Sequence, residues 1–383
     1  MDVIYLDNNA TTRPDQRVVE ATVPFLTEWY GNPSSVHRFG QRARQALDEA
    51  RAQLAGLLDC SDGELTFTSG GTESINTAMR GLLAARAPLR KVVTSAVEHS
   101  ATRQVCQQLA MEGAQIVEIP VDQDGALDLD KLQAAVDEQT AYVSVMWANN
   151  ETGILFPVEK IAEICRGKSV PFHCDGTQAV GKIPVSVHSA GIDAMSMAAH
   201  KFHGPKGVGA LYLRRGVRCR GLMLGGPQEH SRRGGTENVP GVVGMGKAAE
   251  VAGECLGDMA RVAGLRDDFE SRIVKSIADS HIIGPKSPRL PNTTMIGFAR
   301  LEAEAILLLL SEQGICASAG SACASGSLEP SRVLQAMGID ERIAHGAVRF
   351  SLSRFTTPDE IDRAAAALGP VIARVRQVLP VGT

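Results

Sequence analysis

No run of apolar residues in this chain is long enough to cross a bilayer; the longest candidate, Ala305–Leu310, reads as one face of a buried helix. Basic charge is not in excess either. With a formal net charge of -4, nucleic acid is not an expected partner. The opening residues M-D-V-I-Y-L-D are acidic and strand-like, which does not fit a secretory signal. None of the eight cysteines forms a C-x-x-C pair, and Cys316 and Cys323 stand too far apart for a zinc knuckle, so no intrinsic metal site is expected. No G-K-[ST] closes a P-loop, and no internal repeat or low-complexity linker appears. These absences leave a chain expected in the reducing cytoplasm with free thiols. Its 383 residues, 44% hydrophobic and 21% charged, have ordinary globular composition and suffice for two domains.

Against that background, M-S-M-A-A-H-K-F-H-G-P-K-G-V-G at residues 195–209 stands out. Lys201 follows His200 and precedes Gly204, Pro205 and Gly207. A lysine amine is nucleophilic only when deprotonated, which desolvation or neighbouring cations favour. It can then form a Schiff base with an aldehyde cofactor. Upstream, F-H-C-D-G-T-Q ends an apolar strand on Asp175. A carboxylate that holds a pyridine nitrogen protonated and a lysine that carries an aldehyde are what pyridoxal phosphate requires.

Other strand ends add to this pattern. E-L-T-F-T runs into Ser69-Gly70-Gly71-Thr72 and a helix from about residue 73, a turn that offers free N–H groups to a phosphate, with the Thr72 hydroxyl as a further donor. Strands are also expected over 91–97, ending near His99, over 141–147, ending near Asn150, over 171–174 and over 194–198; residues 208–213 return as a hairpin partner. Alternation with helices, polar residues gathering at strand ends, predicts an α/β fold with a mostly parallel sheet covered on both faces. Right-handed crossovers place Thr72, His99, Asn150, Asp175 and Lys201 along one edge. Single helices are expected over 14–29, 41–58 and 242–277, and residues 224–239 read as a polar, glycine-rich loop unsuited to a core. After residue 277 the composition suits a smaller α+β domain.

Lys201 in A-H-K-F-H-G-P-K-G, Asp175 and Gln178 in D-G-T-Q, and S-A-C-A-S-G-S-L-E-P-S around Cys323 resemble the cysteine desulfurases of the nitrogen-fixation and iron–sulfur assembly type. The likeness runs from L-D-N-N-A-T-T to R-F-S-L-S-R-F-T, nearly the whole chain; the R-x-G-H-H-C branch does not fit. The resemblance implies an aspartate-aminotransferase-like fold with a seven-stranded sheet. It implies a large cofactor domain over 14–257, and a small domain made of 1–13 and 258–383 that carries Cys323. It also implies a cysteine desulfurase that uses pyridoxal phosphate to convert L-cysteine to L-alanine and a persulfide on Cys323. In this pattern His99 stacks on the cofactor ring and moves protons. Gly71, Thr72, His200 and, from the second subunit of a homodimer, Thr236 hold the phosphate. Asn150 and Gln178 touch the ring oxygen or the substrate, and Arg354 clamps the substrate carboxylate. The sulfur acceptor is an iron–sulfur scaffold or another carrier, and Cys323 could share a cluster with it in passing. No membrane partner is implied.

Small neighbours on both sides of Cys323 leave its thiol uncovered, unlike a structural cysteine. A transaminase of the same fold has no use for such a thiol, whereas a selenocysteine lyase stays open as an alternative, and a non-catalytic scaffold is disfavoured by the intact set of Lys201, Asp175, His99 and Cys323. One departure concerns the phosphate: many relatives have serine where Ala198 stands. Thr72, His200 and Thr236, a backbone N–H or a water must make up for it. The short C-terminal stretch after Leu379 leans toward the nitrogen-fixation type.

Overall fold

The computed structural model describes residues 3–320 and 330–378, so Cys323 lies outside the described residues. After the short strand β1 (Ile4–Tyr5), seven strands build the principal sheet: β2 (Leu65–Thr68), β3 (Lys91–Ser95), β4 (Gln115–Ile119), β5 (Thr140–Ser144), β6 (Phe172–Asp175), β7 (Ala194–Ala198) and β8 (Gly209–Leu213). Their order is β2-β8-β7-β6-β5-β3-β4. Only β8 runs antiparallel to its neighbours, β2 and β7; the other pairs are parallel. All residues of β5, β6 and β7 are buried, as expected of central parallel strands covered by helices on both faces. The helix Arg38–Leu58 packs along Val239–Glu254 and buries Leu47, Leu54 and Leu58, each contributing about 1.5–3 kcal/mol by leaving water.

A second sheet, in the order β12-β13-β10-β9, is antiparallel and comprises β9 (Ser280–Ile282), β10 (Thr293–Phe298), β12 (Ser318–Ala319) and β13 (Ala347–Ser351); β11 (Ile315–Cys316) pairs in parallel with β1. Ile4 and Leu6 from the start of the chain join a hydrophobic cluster otherwise built from residues 262–375.

Two expected helices are broken. Residues 14–29 form Gln16–Thr22 and Pro24–Thr27, because Pro24 has no N–H to continue the ladder. Residues 242–277 divide at Cys255 into Val239–Glu254 and Met259–Ser276, joined by a tight turn at Leu256–Asp258. Residues 224–239 are more firmly held than their polarity suggested. The Glu229 carboxylate is buried and accepts hydrogen bonds from Arg51 Nη2 and the Phe67 N–H, both at 2.7 Å.

Candidate active site

In the principal sheet, β3, β5, β6 and β7 run in one direction, and β2, antiparallel to β8, shares it. Their C-terminal ends therefore open on one edge, and the polar residues of the sequence motifs follow those ends. Asp175 closes β6; His99, Asn150 and Lys201 come shortly after β3, β5 and β7; and Gly70-Gly71-Thr72 leads from β2 into the helix Gly71–Ala85. This is the crevice in which open α/β sheets place ligands.

Lys201 ends a single turn of 3-10 helix, Ala199–Lys201, and its Nζ donates to the carbonyls of Asn9 (2.7 Å) and Ala10 (2.9 Å). Asp175 is buried, and its Oδ1 accepts the Thr177 N–H at 3.0 Å, which fixes the carboxylate. His99 caps the helix Ser100–Met111: Nδ1 accepts the Ala101 N–H at 3.2 Å, so the neutral ring carries its proton on Nε2. Burial lowers the His99 pKa; Asp175 opposes that shift, and Lys201 and Arg103 add to it. Asp175, His99 and Lys201 thus form one electrostatic group. Burial, with help from Lys201, Lys206 and Lys182, brings His200 down to about 4, and its Nδ1 lies 3.1 Å from the Thr11 hydroxyl.

The phosphate end is shaped by absent side chains. Gly70 has φ +153°, and a Cβ built on Gly71 would lie 3.2 Å from Thr177 Oγ1 and 3.6 Å from the Ala198 Cβ. Thr177 Oγ1 is buried without a hydrogen-bond partner. Free N–H groups at a helix start, a glycine floor and an unsatisfied hydroxyl beside it suit an anion. With a seated lysine amine and a fixed carboxylate on the same edge, these residues fit pyridoxal phosphate.

Asn9 joins the parts, although D-N-N-A-T-T reads only as a loop near the site. Its carbonyl accepts from Lys201 and from Gln178 Nε2 (3.0 Å), its Oδ1 from Lys182 (3.0 Å), and its Nδ2 donates to the Asn150 carbonyl (3.1 Å). Arg349, buried, also donates to the Asn150 carbonyl and reaches Asp7 at 2.7 Å. Arg354 lines the same cavity as Lys201, Asn8, Thr12 and Lys182, with Nη2 held by Asp15 at 2.5 Å. Burial pushes Asp15 up, but hydrogen bonds from Arg17 and Arg354 hold its carboxyl below the ordinary value. Thr236, in the loop anchored by Glu229, is exposed. Near the segment bearing Cys323, the buried Glu151 accepts from Ser331, and a Cβ on Gly320 would come within 2.5 Å of its carboxylate. Sequence reasoning missed Asn9, Lys182 and Glu151. Burial pushes the thiols of Cys60, Cys106, Cys165 and Cys219 up to about 12, so none of these four is an activated nucleophile.

Comparison with known proteins agrees with this geometry. A family model described as aminotransferase class-V matches residues 4–364. A cysteine desulfurase of Klebsiella pneumoniae is 51% identical over 381 residues, 99% of this chain and 95% of that protein. "Cysteine desulfurase 2" of Trichormus variabilis is 50% identical over 380 residues (99% and 96%), and "Cysteine desulfurase NifS" of Azotobacter vinelandii is 48% identical over 379 (98% and 94%). A solved NifS-like protein superimposes with a TM-score of 0.92 at 39% identity, covering 97% of this chain and 100% of that one. This chain belongs to the class-V aminotransferase family and, within it, to the pyridoxal phosphate-dependent cysteine desulfurases.

Proposed function

We propose that the chain takes sulfur from L-cysteine, releases L-alanine and leaves a persulfide on Cys323, from which sulfur passes to an acceptor for iron–sulfur cluster assembly. The observation that carries this reading is the seating of the Lys201 amine on two carbonyls at the same sheet edge as Asp175 and His99.

Bound pyridoxal phosphate supplies an aldehyde for an amine and a ring that accepts electrons. Lys201 would hold the aldehyde, and its amine, when free, would take the α-proton of the substrate. Asp175 keeps a proton on the ring nitrogen. The neutral His99 ring would help to hold the cofactor ring and would offer the proton on Nε2. Gly71 and Thr72 hold the phosphate, aided by His200 and by Thr236 of a second subunit. Gln178 and Asn150 face the ring oxygen and the substrate. Arg354 presents the N–H groups that Asp15 does not occupy to the substrate carboxylate. Cys323, as thiolate, attacks the substrate sulfur. The carbon–sulfur bond breaks, its electron pair stays with carbon, and a proton completes alanine.

Residues 14–257 serve as the cofactor domain, and 1–13 with 258–383 as the domain that brings Cys323. The working unit is a homodimer, and the exposed Leu222, Met223 and Leu224 beside the Thr236 loop suit burial between subunits. Among the described residues no helix is long and apolar enough to cross a membrane; we place the reaction in the cytoplasm.

Cys323→Ser tests the sulfur step. The variant keeps the bound cofactor's colour and its spectral response to cysteine but makes no alanine by this route. A serine hydroxyl is not ionised near neutral pH, whereas a thiol is a few per cent thiolate. Near-normal alanine production would assign the sulfur to another thiol, with Cys316 next in line.

A further inference from the structure

Lys182 stands four residues after Gln178 and is 5% exposed. Its Nζ donates to Asn9 Oδ1 at 3.0 Å and to Gln178 Oε1 at 2.5 Å, both oxygens of neutral amides. The charged groups that act on it, Lys201 and Arg349, are both basic, and its own charge reaches His200 and His203. Burial, then those two cations, draws its pKa well below that of an ordinary lysine. A methionine would fill the same space without desolvating an amine, but it would leave the buried Gln178 Oε1 without its Lys182 donor. Packing alone therefore does not account for a lysine here.

The hydrogen bonds do. Gln178 Nε2 gives one hydrogen to the Asn9 carbonyl at 3.0 Å, while Lys182 occupies Oε1. An amide engaged in this way has its oxygen turned to Lys182 and keeps one N–H to offer to a ligand. The Asn9 carbonyl that receives Gln178 also receives Lys201 at 2.7 Å.

We propose that Lys182 is a positioning residue for the cofactor: it fixes Gln178 with an N–H toward the ring oxygen and steadies the Asn9 on which Lys201 rests. This inference rests on the site reading given above. Lys182 acts through those two amides.

The test is Lys182→Met in the full-length protein loaded with pyridoxal phosphate. The variant folds, with a melting temperature lowered because Gln178 Oε1 loses its Lys182 donor. The pH midpoint of the bound cofactor's visible band moves up by about one unit or more, because a basic group keeps its proton better once a neighbouring cation and an N–H donor are lost. The kcat falls by roughly ten- to a hundredfold, with KM for cysteine nearly constant. Gln178→Ala shows the same displacement of the band, and the double variant goes no further, as expected for residues acting as a unit. A lysine with only a structural role would also change the melting temperature but would leave the band midpoint in place. An unchanged midpoint in K182M, or additive displacements in the double variant, overturns the proposal. Should K182M not fold, Lys182→Arg, which keeps charge and donors, must hold the midpoint near wild type; a displacement as large as that of Q178A overturns it equally. A wild-type protein with no visible band or no alanine production would instead fail the site reading itself.

Discussion

The strand ends around Lys201 and the loop around Thr236 both gather polar side chains, yet they are built in opposite ways. At the strand ends the groups are buried or half-buried and bonded within the chain: Lys201 to Asn9 and Ala10, Gln178 to Asn9 and Lys182, Asp175 to the Thr177 N–H. The loop is anchored from behind, by Glu229 on Arg51 and by Arg233 on Glu73, and its outer face is left open, with Leu224 86% exposed and Thr236 exposed beyond it. One region needs only its own chain to take shape. The other leaves part of its outer face to solvent. A rigid rear anchor with a bare front is what a segment needs in order to complete a neighbour's site without first paying the entropy of ordering itself.

The comparison breaks most severely at Lys201. Lys201→Ala is expected to remove turnover on cysteine altogether and to leave the protein colourless or weakly coloured. Borohydride reduction and peptide mapping of wild type should label Lys201; a label on Lys206 or Lys182 would contradict the assignment. Next, Asp175→Ala should lower kcat/KM by roughly 100-fold or more, since a buried charge aimed at the reacting ring is lost, while Tm changes little. Steady-state alanine assays and thermal scans separate the two effects.

On the loop side the expected loss is in stability. Glu229→Ala leaves Arg51 buried beneath the loop without its partner, at a cost of about 3–5 kcal/mol, read by chemical denaturation. If the account of the rear anchor is right, the remaining folded protein also binds cofactor less tightly, because Thr236 is no longer held out.

The smallest effect sharpens the picture of the buried side. Glu98 accepts from Ser95 (2.6 Å) and from the Met146 N–H (3.0 Å), and burial, reinforced by Asp175, raises its pKa to about 8. The folded state therefore keeps a proton that the unfolded state releases at the ordinary carboxyl value. Stability from this group falls as pH rises from that value to about 8 and is level above it. Glu98→Gln removes the slope, so its melting temperature relative to wild type should climb by about 2 °C or more across that window. Parallel curves for the two proteins would show that Glu98 is ionised in the folded state.

The strand-end chemistry was legible because each group lies within a few residues of an apolar strand, and strand direction does the rest. Asp175, Lys201, His99 and the Gly70-Gly71-Thr72 turn needed only local pattern and the rule for crossovers. Asn9 was not legible: a turn-like D-N-N-A-T-T says nothing of Lys201, 192 residues away. Lys182 looks like any turn lysine until Gln178 and Asn9 close on it. The bond from Glu151 to Ser331 spans 180 residues. The break at Pro24 follows from the missing proline N–H, whereas the break at Cys255 interrupts an otherwise continuous helical pattern. The loop's polarity was visible, but not that Glu229 turns inward to Arg51 while Thr236 turns out.

The central claim, that two chains build each site, is tested most directly by mixing. Lys201→Ala and Thr236→Ala proteins, each inactive or nearly so at limiting cofactor, are combined in equal amounts under conditions shown to exchange subunits. In a two-fold symmetric hybrid one site carries both lesions and the other neither. The account predicts that alanine production returns to about a quarter of the wild-type rate, half the dimers being hybrids with one good site each. Exchange proven by mass spectrometry with no return of activity would contradict it, and would place Thr236 in the site of its own chain or in no site at all.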